Sequence, residues 1–154
     1  MNIIELKVKK TISEDIKLSQ IYDQFNTLLK ELRKRKLPDS TVQSINKDVE
    51  ELNTTILTGT DLRKLIKTKQ TAIVRLIEKE LKLVPKNYYR TLWLALGMTA
   101  FGIPLGVLFG VLIKIPGLFA LGIPFGLAIG VTVGTTMDKK AFNENRQLNV
   151  EIKY

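Results

Sequence analysis

The 154-residue chain contains no cysteine and no histidine. Without cysteine it can form no disulfide and has no thiolate nucleophile, and without either residue it has no Cys/His zinc site and no imidazole base. No phosphate-binding loop is present, and the carboxylates are scattered along predicted helices. We therefore predict that the chain is not an enzyme, has no catalytic residues, and needs no metal or other cofactor.

Charge is nearly absent from residues 91–137, where Lys114 is the only charged residue. The hydrocarbon core of a bilayer accommodates about 20 helical residues, so this stretch is too long for one span and suits two. Lys-Ile-Pro-Gly at residues 114–117 is a turn signal that divides it. The stretch lies too far along the chain for a signal peptide. We predict a hairpin of two transmembrane helices, at about 91–113 and 116–137.

Basic residues lie on both sides of this apolar stretch. Two precede the first predicted span and three follow the second: Lys86, Arg90, Lys139, Lys140 and Arg146. Because an excess of basic residues marks cytoplasmic segments, we expect both termini in the cytoplasm and the bilayer as a partner.

An internal repeat runs through the two predicted spans. Shifting the chain by 20 residues aligns residues 97–113 with 117–133, and 8 of the 17 aligned pairs are identical. The shared core contains glycine at every fourth position: Gly102, Gly106, Gly110, Gly122, Gly126, Gly130 and Gly134. Such a stripe lets helix backbones approach closely in lipid, so these glycines are predicted helix-packing residues. Pro104 and Pro124 are predicted to kink the helices near mid-bilayer.

The stripes allow two interpretations. The glycines can pack the hairpin against itself, or the two striped helices can give each subunit an inner and an outer packing face in a homo-oligomer. The second is favoured because one hairpin needs only one glycine-rich contact. The stripes resemble those of the glycine-zipper membrane proteins, small bacterial proteins whose helices assemble into oligomers and often into channels. This resemblance covers residues 97–134 and implies a homo-oligomer in the bacterial inner membrane.

Three helices with heptad spacing of apolar residues are predicted before the spans, at about 13–36, 40–59 and 60–85. Their seams are Leu18, Ile21, Phe25, Leu28 and Leu32, then Val42, Ile45, Val49, Leu52 and Ile56, then Leu62, Ile66, Ile73, Ile77, Leu81 and Val84. Seams this narrow suit a coiled-coil stalk, although a plain three-helix domain is also possible. The fold class is therefore a mainly α membrane protein. It consists of a cytoplasmic helical domain at 1–85, a transmembrane hairpin at 86–137 and a cytoplasmic tail at 138–154.

Both ends of the chain alternate apolar and polar residues, as strands do. At the start the apolar positions are Ile4, Leu6 and Val8, and at the end they are Leu148, Val150, Ile152 and Tyr154. Because an isolated strand is unstable, we predict that the two ends pair with each other or with a neighbouring subunit.

Residues 1–90 carry 19 basic and 12 acidic residues. Two basic clusters stand out, namely Arg33, Lys34, Arg35 and Lys36, and Arg63, Lys64 and Lys67. Without interleaved aromatic residues, the clusters are typical of a solvated face or of contact with anionic lipid. Binding of an anionic ligand, such as a nucleotide or oligonucleotide, is the alternative.

A channel accounts best for the repeat and for the share of the chain given to the membrane. The polar side chains available to line its pore are Thr99, Lys114, Thr132, Thr135 and Thr136. Lys114 could form a ring at the outer mouth or act only as an interfacial anchor. The remaining lining is apolar and could gate by dewetting.

In architecture and size the chain is similar to the membrane channel effectors of bacterial antiphage defence, the Hailong type in particular. This resemblance implies membrane depolarisation controlled by a nucleotide or oligonucleotide signal, with a nucleotidyltransferase as partner. Two other functions stay open. One is a holin-like pore, and the other is a tether that recruits a partner through its heptads.

Overall fold

A computed structural model describes residues 2–7, 15–112 and 116–153. The chain is mainly α-helical, as predicted. It divides into two compact units, one formed by the residues up to Pro85 together with those from Leu148 onward, and the other by Lys86–Gln147.

The first unit contains three helices: α1 at Ile16–Arg33, α2 at Asp39–Thr54 and α3 at Gly59–Leu81. Asp15 caps α1, because its carboxylate accepts hydrogen bonds from the N–H groups of Lys17 (2.9 Å) and Leu18 (3.2 Å). The start predicted near residue 13 lies outside the described residues.

Most of the predicted heptad positions form the core of this unit. Those that are buried are Leu18, Phe25, Leu28, Leu32, Val42, Ile45, Val49, Leu52, Leu62, Ile66, Ile73 and Ile77. The seams therefore face one another within one chain, which is the plain three-helix domain rather than an open stalk. Burial of such side chains contributes about 1.5–3 kcal/mol each.

Two predicted helix ends were wrong. Ile56 follows the end of α2 at Thr54 and is 94% exposed, so it belongs to no seam. The third helix ends at Leu81, where Lys82 adopts a left-handed conformation with φ of 56°. Val84 instead opens strand β1, Val84–Lys86, because the residue before Pro85 disfavours helical backbone angles.

The C-terminal alternation does form a strand, β2 at Gln147–Glu151, but its partner is β1. The two strands make a small parallel sheet. The predicted pairing of the two chain ends with each other was wrong for the described residues, because residues 2–7 form no strand. Val8 and Tyr154 lie outside the described residues.

The second unit is built from α4 at Tyr88–Leu96, a π-helical segment at Gly97–Gly102, α5 at Ile103–Leu112, a 3-10 helix at Pro116–Leu121 and α6 at Gly122–Asn143. Among the described residues one continuous helix, Tyr88–Val111, is long and apolar enough to cross a membrane. The second predicted span is not one uninterrupted α-helix. It is divided between the 3-10 helix and α6, and α6 continues past Met137 into charged residues.

The two prolines of the repeat occupy different positions in these helices. Pro104 is the second residue of α5, and the residue before it, Ile103, closes the π-helical segment with a bond from its N–H to the carbonyl of Met98 five residues earlier. Pro124 is the third residue of α6, and the 3-10 helix leads directly into α6, since Leu121 has right-handed helical backbone angles. Pro124 therefore lies near the start of a helix that the preceding turn continues, and it has no N–H group to donate.

Candidate functional site

The glycine stripe lies between the helices of the second unit. Gly122, Gly126, Gly130 and Gly134 are buried along α6. A Cβ atom added to Gly134 would lie 2.5 Å from the Cα atom of Arg90. The backbones are therefore in direct contact, and any larger residue would force them apart.

The facing helix contributes glycines of its own. A Cβ atom on Gly126 would lie 2.6 Å from Cα of Gly102, and one on Gly122 would overlap the backbone of Gly106. Gly97, which was not among the predicted packing residues, faces Gly126 and Gly130 in the same way. Gly110 is half-buried. The stripe is thus used within one chain, which is the first of the two interpretations of the repeat.

The outer surface of the second unit is apolar and exposed. Its large exposed side chains are Leu92, Leu96, Met98, Phe101, Ile103, Val107, Leu108, Val111, Leu121, Ile123, Phe125 and Ile129, with Phe142 near the end of α6. Only 17% of the most apolar stretch of the helix Tyr88–Val111 is buried. A helix from the core of a soluble protein is mostly buried, whereas most of this stretch is not.

Three of the predicted pore-lining threonines lie on that surface. Thr99, Thr132 and Thr136 are exposed, and each hydroxyl donates to the carbonyl four residues earlier at 2.8–3.0 Å. Donation to the helix leaves each hydroxyl oxygen able to accept a further hydrogen bond. Thr135 is half-buried, and Lys114 lies outside the described residues.

Asp138 ties the two ends of the hairpin together. This residue of α6 is 7% exposed, and its carboxylate accepts hydrogen bonds from the N–H groups of Tyr89 (3.1 Å) and Arg90 (2.9 Å). These two N–H groups belong to the first turn of α4, whose N-cap residue Asn87 makes no capping bond with its side chain. Asp138 therefore caps α4 from another helix, and its negative charge meets the positive end of the helix dipole.

Next to this cap lies an open cleft of about 250 Å³ with two cationic side chains on its wall. Its lining residues are Asn87, Arg90, Thr135, Asp138, Lys139, Phe142 and Gln147. Sequence reasoning identified Arg90 and Lys139 only as flanking charges. It missed Asp138, whose one visible signal is that it is the first acidic residue after the apolar stretch.

The first predicted basic cluster is used largely inside the first unit. Arg33 donates from Nε to the carbonyl of Ile3 (3.1 Å) and from Nη2 to that of Ile4 (2.8 Å). Lys34 forms an ion pair of 2.5 Å with Glu31, and this bond lowers the pKa of the Glu31 carboxyl. Arg35 also has a partner, whereas Lys36 is exposed.

The second cluster is divided in the same way. Arg63 pairs with Asp15 at 2.9 Å, and Lys64 approaches Asp61 at 4.0 Å. Lys67 instead lines an open cleft of about 340 Å³ on α3 with Thr68, Thr71, Ala72 and Arg75. Of the seven basic residues predicted to bind an anion, Arg33 and Arg35 line another open cleft, of about 390 Å³, and Lys67 lines this one together with Arg75.

The ion pairs of Lys69 with two carboxylates were not predicted from the sequence. Lys69 donates to Asp48 (3.0 Å) and to Glu51 (2.6 Å) of α2, and these bonds, that to Glu51 most, raise the pKa of Lys69. This bridge joins α2 to α3 on the surface of the three-helix domain. It removes one further cation from any anion-binding face.

No protein family model matches the chain, and no curated protein or solved structure matches it either. Function must therefore be argued from the hairpin, the three-helix domain and the groups exposed on each.

Proposed function

We propose that the chain is a homo-oligomeric membrane channel whose hairpin lies in the bilayer and whose three-helix domain, on the cytoplasmic side, controls it. The observation that carries the proposal is the division of the hairpin into two surfaces. Its small residues close the contact between its own helices, and its large apolar side chains are exposed along both of them. Lipid or further copies of the chain would cover such an outer surface.

The length of the second half of the hairpin supports a second span. The six residues of the 3-10 helix rise about 2.0 Å each, and those of α6 up to Met137 rise about 1.5 Å each. Together they extend about 36 Å, which exceeds the hydrocarbon thickness of about 30 Å. Both ends of the hairpin then lie on one side, where Lys139, Lys140 and Arg146 mark the cytoplasm.

A second stripe of small residues favours assembly between copies. Ala128, Thr132 and Thr136 follow one another at every fourth position of α6, and all three are exposed. This stripe lies apart from the glycines that the hairpin uses internally. Small residues and hydroxyls at that spacing promote helix contacts in lipid and offer oxygen atoms to water in a pore.

The tether alternative has less support. It requires heptad seams that are free to recruit a partner, whereas the seams of α1, α2 and α3 are buried in the core of their own domain. A control function needs only a domain that binds a signal. For this signal we propose an anion with more than one phosphate at the Lys67–Arg75 cleft, because eight helical residues separate these cations by about 12 Å. A nucleotide or oligonucleotide made by a nucleotidyltransferase has that chemistry, and an antiphage effector would use it.

Ion flux from liposomes that contain the purified chain tests the channel, with the oligomer mass measured in parallel. We expect a defined oligomer and a flux that changes when short anionic oligonucleotides are added. Thr132→Val/Thr136→Val should reduce the flux, because it replaces two hydroxyls with methyl groups of the same shape.

Thr27→Val is the matched control for these substitutions. Thr27 is an exposed threonine of α1 whose hydroxyl also donates to the carbonyl four residues earlier, that of Asp23, at 2.8 Å. Its replacement should leave the flux unchanged. A monomer, or an oligomer that conducts no ions under any of these conditions, would refute the proposed channel.

A further inference from the structure

The N-terminal residues 2–7 lie in a groove of the three-helix domain without forming a strand. One wall of the groove is α2 and the other is α1, and side chains of both helices bond to the main chain of the segment. No hydrogen bond of a helix or sheet joins these residues to the domain. The segment is therefore bound to the domain in the way that an extended peptide is bound.

Two asparagines of α2 hold the segment from one side. Asn46 accepts from the N–H of Ile4 (2.9 Å) and donates to the carbonyl of Asn2 (3.0 Å). Asn53 repeats the arrangement, accepting from the N–H of Lys7 (2.8 Å) and donating to the carbonyl of Glu5 (3.0 Å). Each side-chain amide thus pairs with one N–H and one C=O of the peptide, as a neighbouring strand would.

The spacing of the two asparagines matches the repeat of an extended chain. Seven residues of a helix rise about 10.5 Å. Three residues of an extended chain, the distance from Ile4 to Lys7, rise about 10 Å. The two amides can therefore bond to successive parts of one extended peptide that runs parallel to α2.

The opposite wall bonds to three further carbonyls. Arg33 donates to those of Ile3 (3.1 Å) and Ile4 (2.8 Å), and the Tyr22 hydroxyl donates to that of Leu6 at 2.8 Å. Two side chains of the segment are buried, Ile3 at 6% exposure and Leu6 at 8%. The groove thus binds its occupant through hydrogen bonds to the main chain and through burial of two apolar side chains three residues apart.

The groove extends further than the residues that occupy it. Beside Ile3 an open cleft of about 390 Å³ continues between the end of α1 and the start of α2. Its walls include Leu32, Arg33, Arg35, Leu37 and Val42. A longer extended peptide could lie along this surface.

We propose that this groove is a binding site for an extended peptide with apolar residues three apart, that residues 2–7 occupy it within the same chain, and that the same segment of a second copy exchanges into it. The second copy is favoured because its segment would make every one of the bonds described above. Seven residues separate Lys7 from Asp15, and they can extend to about 25 Å. The exchange would link copies, and only this part of the proposal rests on the proposed homo-oligomer.

Binding of a synthetic peptide tests the groove by itself. The full-length variant Ile3→Ser/Leu6→Ser should release its own segment and bind a fluorescent peptide of the sequence Asn-Ile-Ile-Glu-Leu-Lys. Adding Asn46→Ala/Asn53→Ala to that variant should weaken binding at least tenfold, since it removes four hydrogen bonds. Equal binding to both variants, or no binding to a folded chain, would overturn the peptide site.

Hydrogen exchange of the unaltered chain tests the same proposal if the Ile3→Ser/Leu6→Ser variant does not fold. The N–H groups of Ile4 and Lys7 should exchange faster than those in the middle of α1, because the segment leaves without unfolding the helices. Exchange of both sets at the same rate would mean that the segment leaves only when the domain unfolds, and the proposal would fail.

Mixing two single-cysteine chains tests the second copy as occupant. One chain carries Glu5→Cys in the segment, and the other carries Glu50→Cys, which lies on α2 between Asn46 and Asn53 and is exposed. A disulfide-linked dimer that contains one chain of each kind is expected. Its yield should decrease at least tenfold when Asn46→Ala/Asn53→Ala is added to the second chain. Peptide binding without any mixed disulfide would overturn the exchange between copies while leaving the proposed channel untouched.

Discussion

At the scale of single residues, the hairpin depends on positions where no side chain fits. Gly126→Ala and Gly134→Ala should each destabilise it by about 1–3 kcal/mol, because the added methyl group meets backbone atoms of the facing helix. Trp93 is the only tryptophan, and Gly130 packs against its backbone, so its fluorescence can follow unfolding of the hairpin in mixed micelles.

Gly117→Ala serves as the control for these substitutions, since a Cβ atom there has nothing within 4 Å. It should leave the unfolding midpoint unchanged. If Gly126→Ala were equally neutral, the close packing of the two helices would be wrong. Larger replacements such as Gly126→Leu would disrupt the hairpin itself, so a loss of oligomers in such a variant would not identify a contact between copies.

At the scale of elements, the ends of helices are held by acidic side chains. Asp138→Ala should destabilise the hairpin by about 1–3 kcal/mol, because it leaves the N–H groups of Tyr89 and Arg90 without their acceptor. Asp138→Asn should cost less, since one oxygen can still accept. Unfolding followed by Trp93 fluorescence measures both variants. Lys139→Ala, at the residue after Asp138, should change the stability of the hairpin little. An Asp138→Ala variant as stable as the original chain would show that the cap contributes nothing.

Asp15 gives the three-helix domain a dependence on pH. Its pKa is lowered, first by the N–H of Leu18 and further by Arg63 and the N–H of Lys17. Because the folded pKa lies below the unfolded value of about 3.9, the stabilisation is present above that pH and is lost as the pH falls through the folded pKa.

The substitution Asp15→Asn tests this dependence. It should lower the urea midpoint of the domain at pH 7 and flatten its decline between pH 5 and pH 2. Asp23→Asn is the control, because it removes a carboxylate from an exposed position in the middle of the same helix and leaves the cap in place. Urea unfolding followed by circular dichroism at a series of pH values measures both variants. If the urea midpoint of Asp15→Asn still declined as steeply between pH 5 and pH 2, other carboxylates would be responsible for the loss of stability in acid.

The elements that the sequence predicts well are those whose signal is periodic. Heptad spacing identified most of the buried residues of α1, α2 and α3, though not Tyr22, Leu29 or Val74, and glycine at every fourth position identified a close helix contact. The partner of that contact could not be predicted, because the same stripe serves one chain or several. The choice follows only from the approach of Gly126 to Gly102 within the chain.

The N-terminal segment shows why an alternating pattern was misleading. Ile4 and Leu6 alternate as in a strand, yet the structure buries Ile3 and Leu6 and leaves Ile4 exposed. Asn46 and Asn53 bond to the segment from about 45 residues away, and polar residues on a helix carry no local signal of such bonds. Asp138 was missed for the same reason, since its partners Tyr89 and Arg90 are distant in sequence.

At the scale of the whole molecule, one membrane span and two membrane spans differ in the side of the bilayer on which residue 143 lies. If only the helix Tyr88–Val111 crosses the bilayer, residues 117 and 143 lie on the same side, opposite to the three-helix domain. If α6 forms part of a second span, residue 143 lies with the three-helix domain, and residue 117 is alone on the other side. The positive charges after Met137 favour the second arrangement.

Because the chain contains no cysteine, a single introduced cysteine reports its own side of the membrane. We expect a membrane-impermeant maleimide to label Gly117→Cys in intact bacterial cells, and to label Gln20→Cys and Asn143→Cys only after lysis. All three positions are exposed, so accessibility to the reagent differs only by the membrane. Labelling of Asn143→Cys in intact cells would leave a single span, and a pore between hairpins would then be impossible. Labelling of none of the three before lysis would place the whole chain inside the cell and would refute the membrane assignment as well.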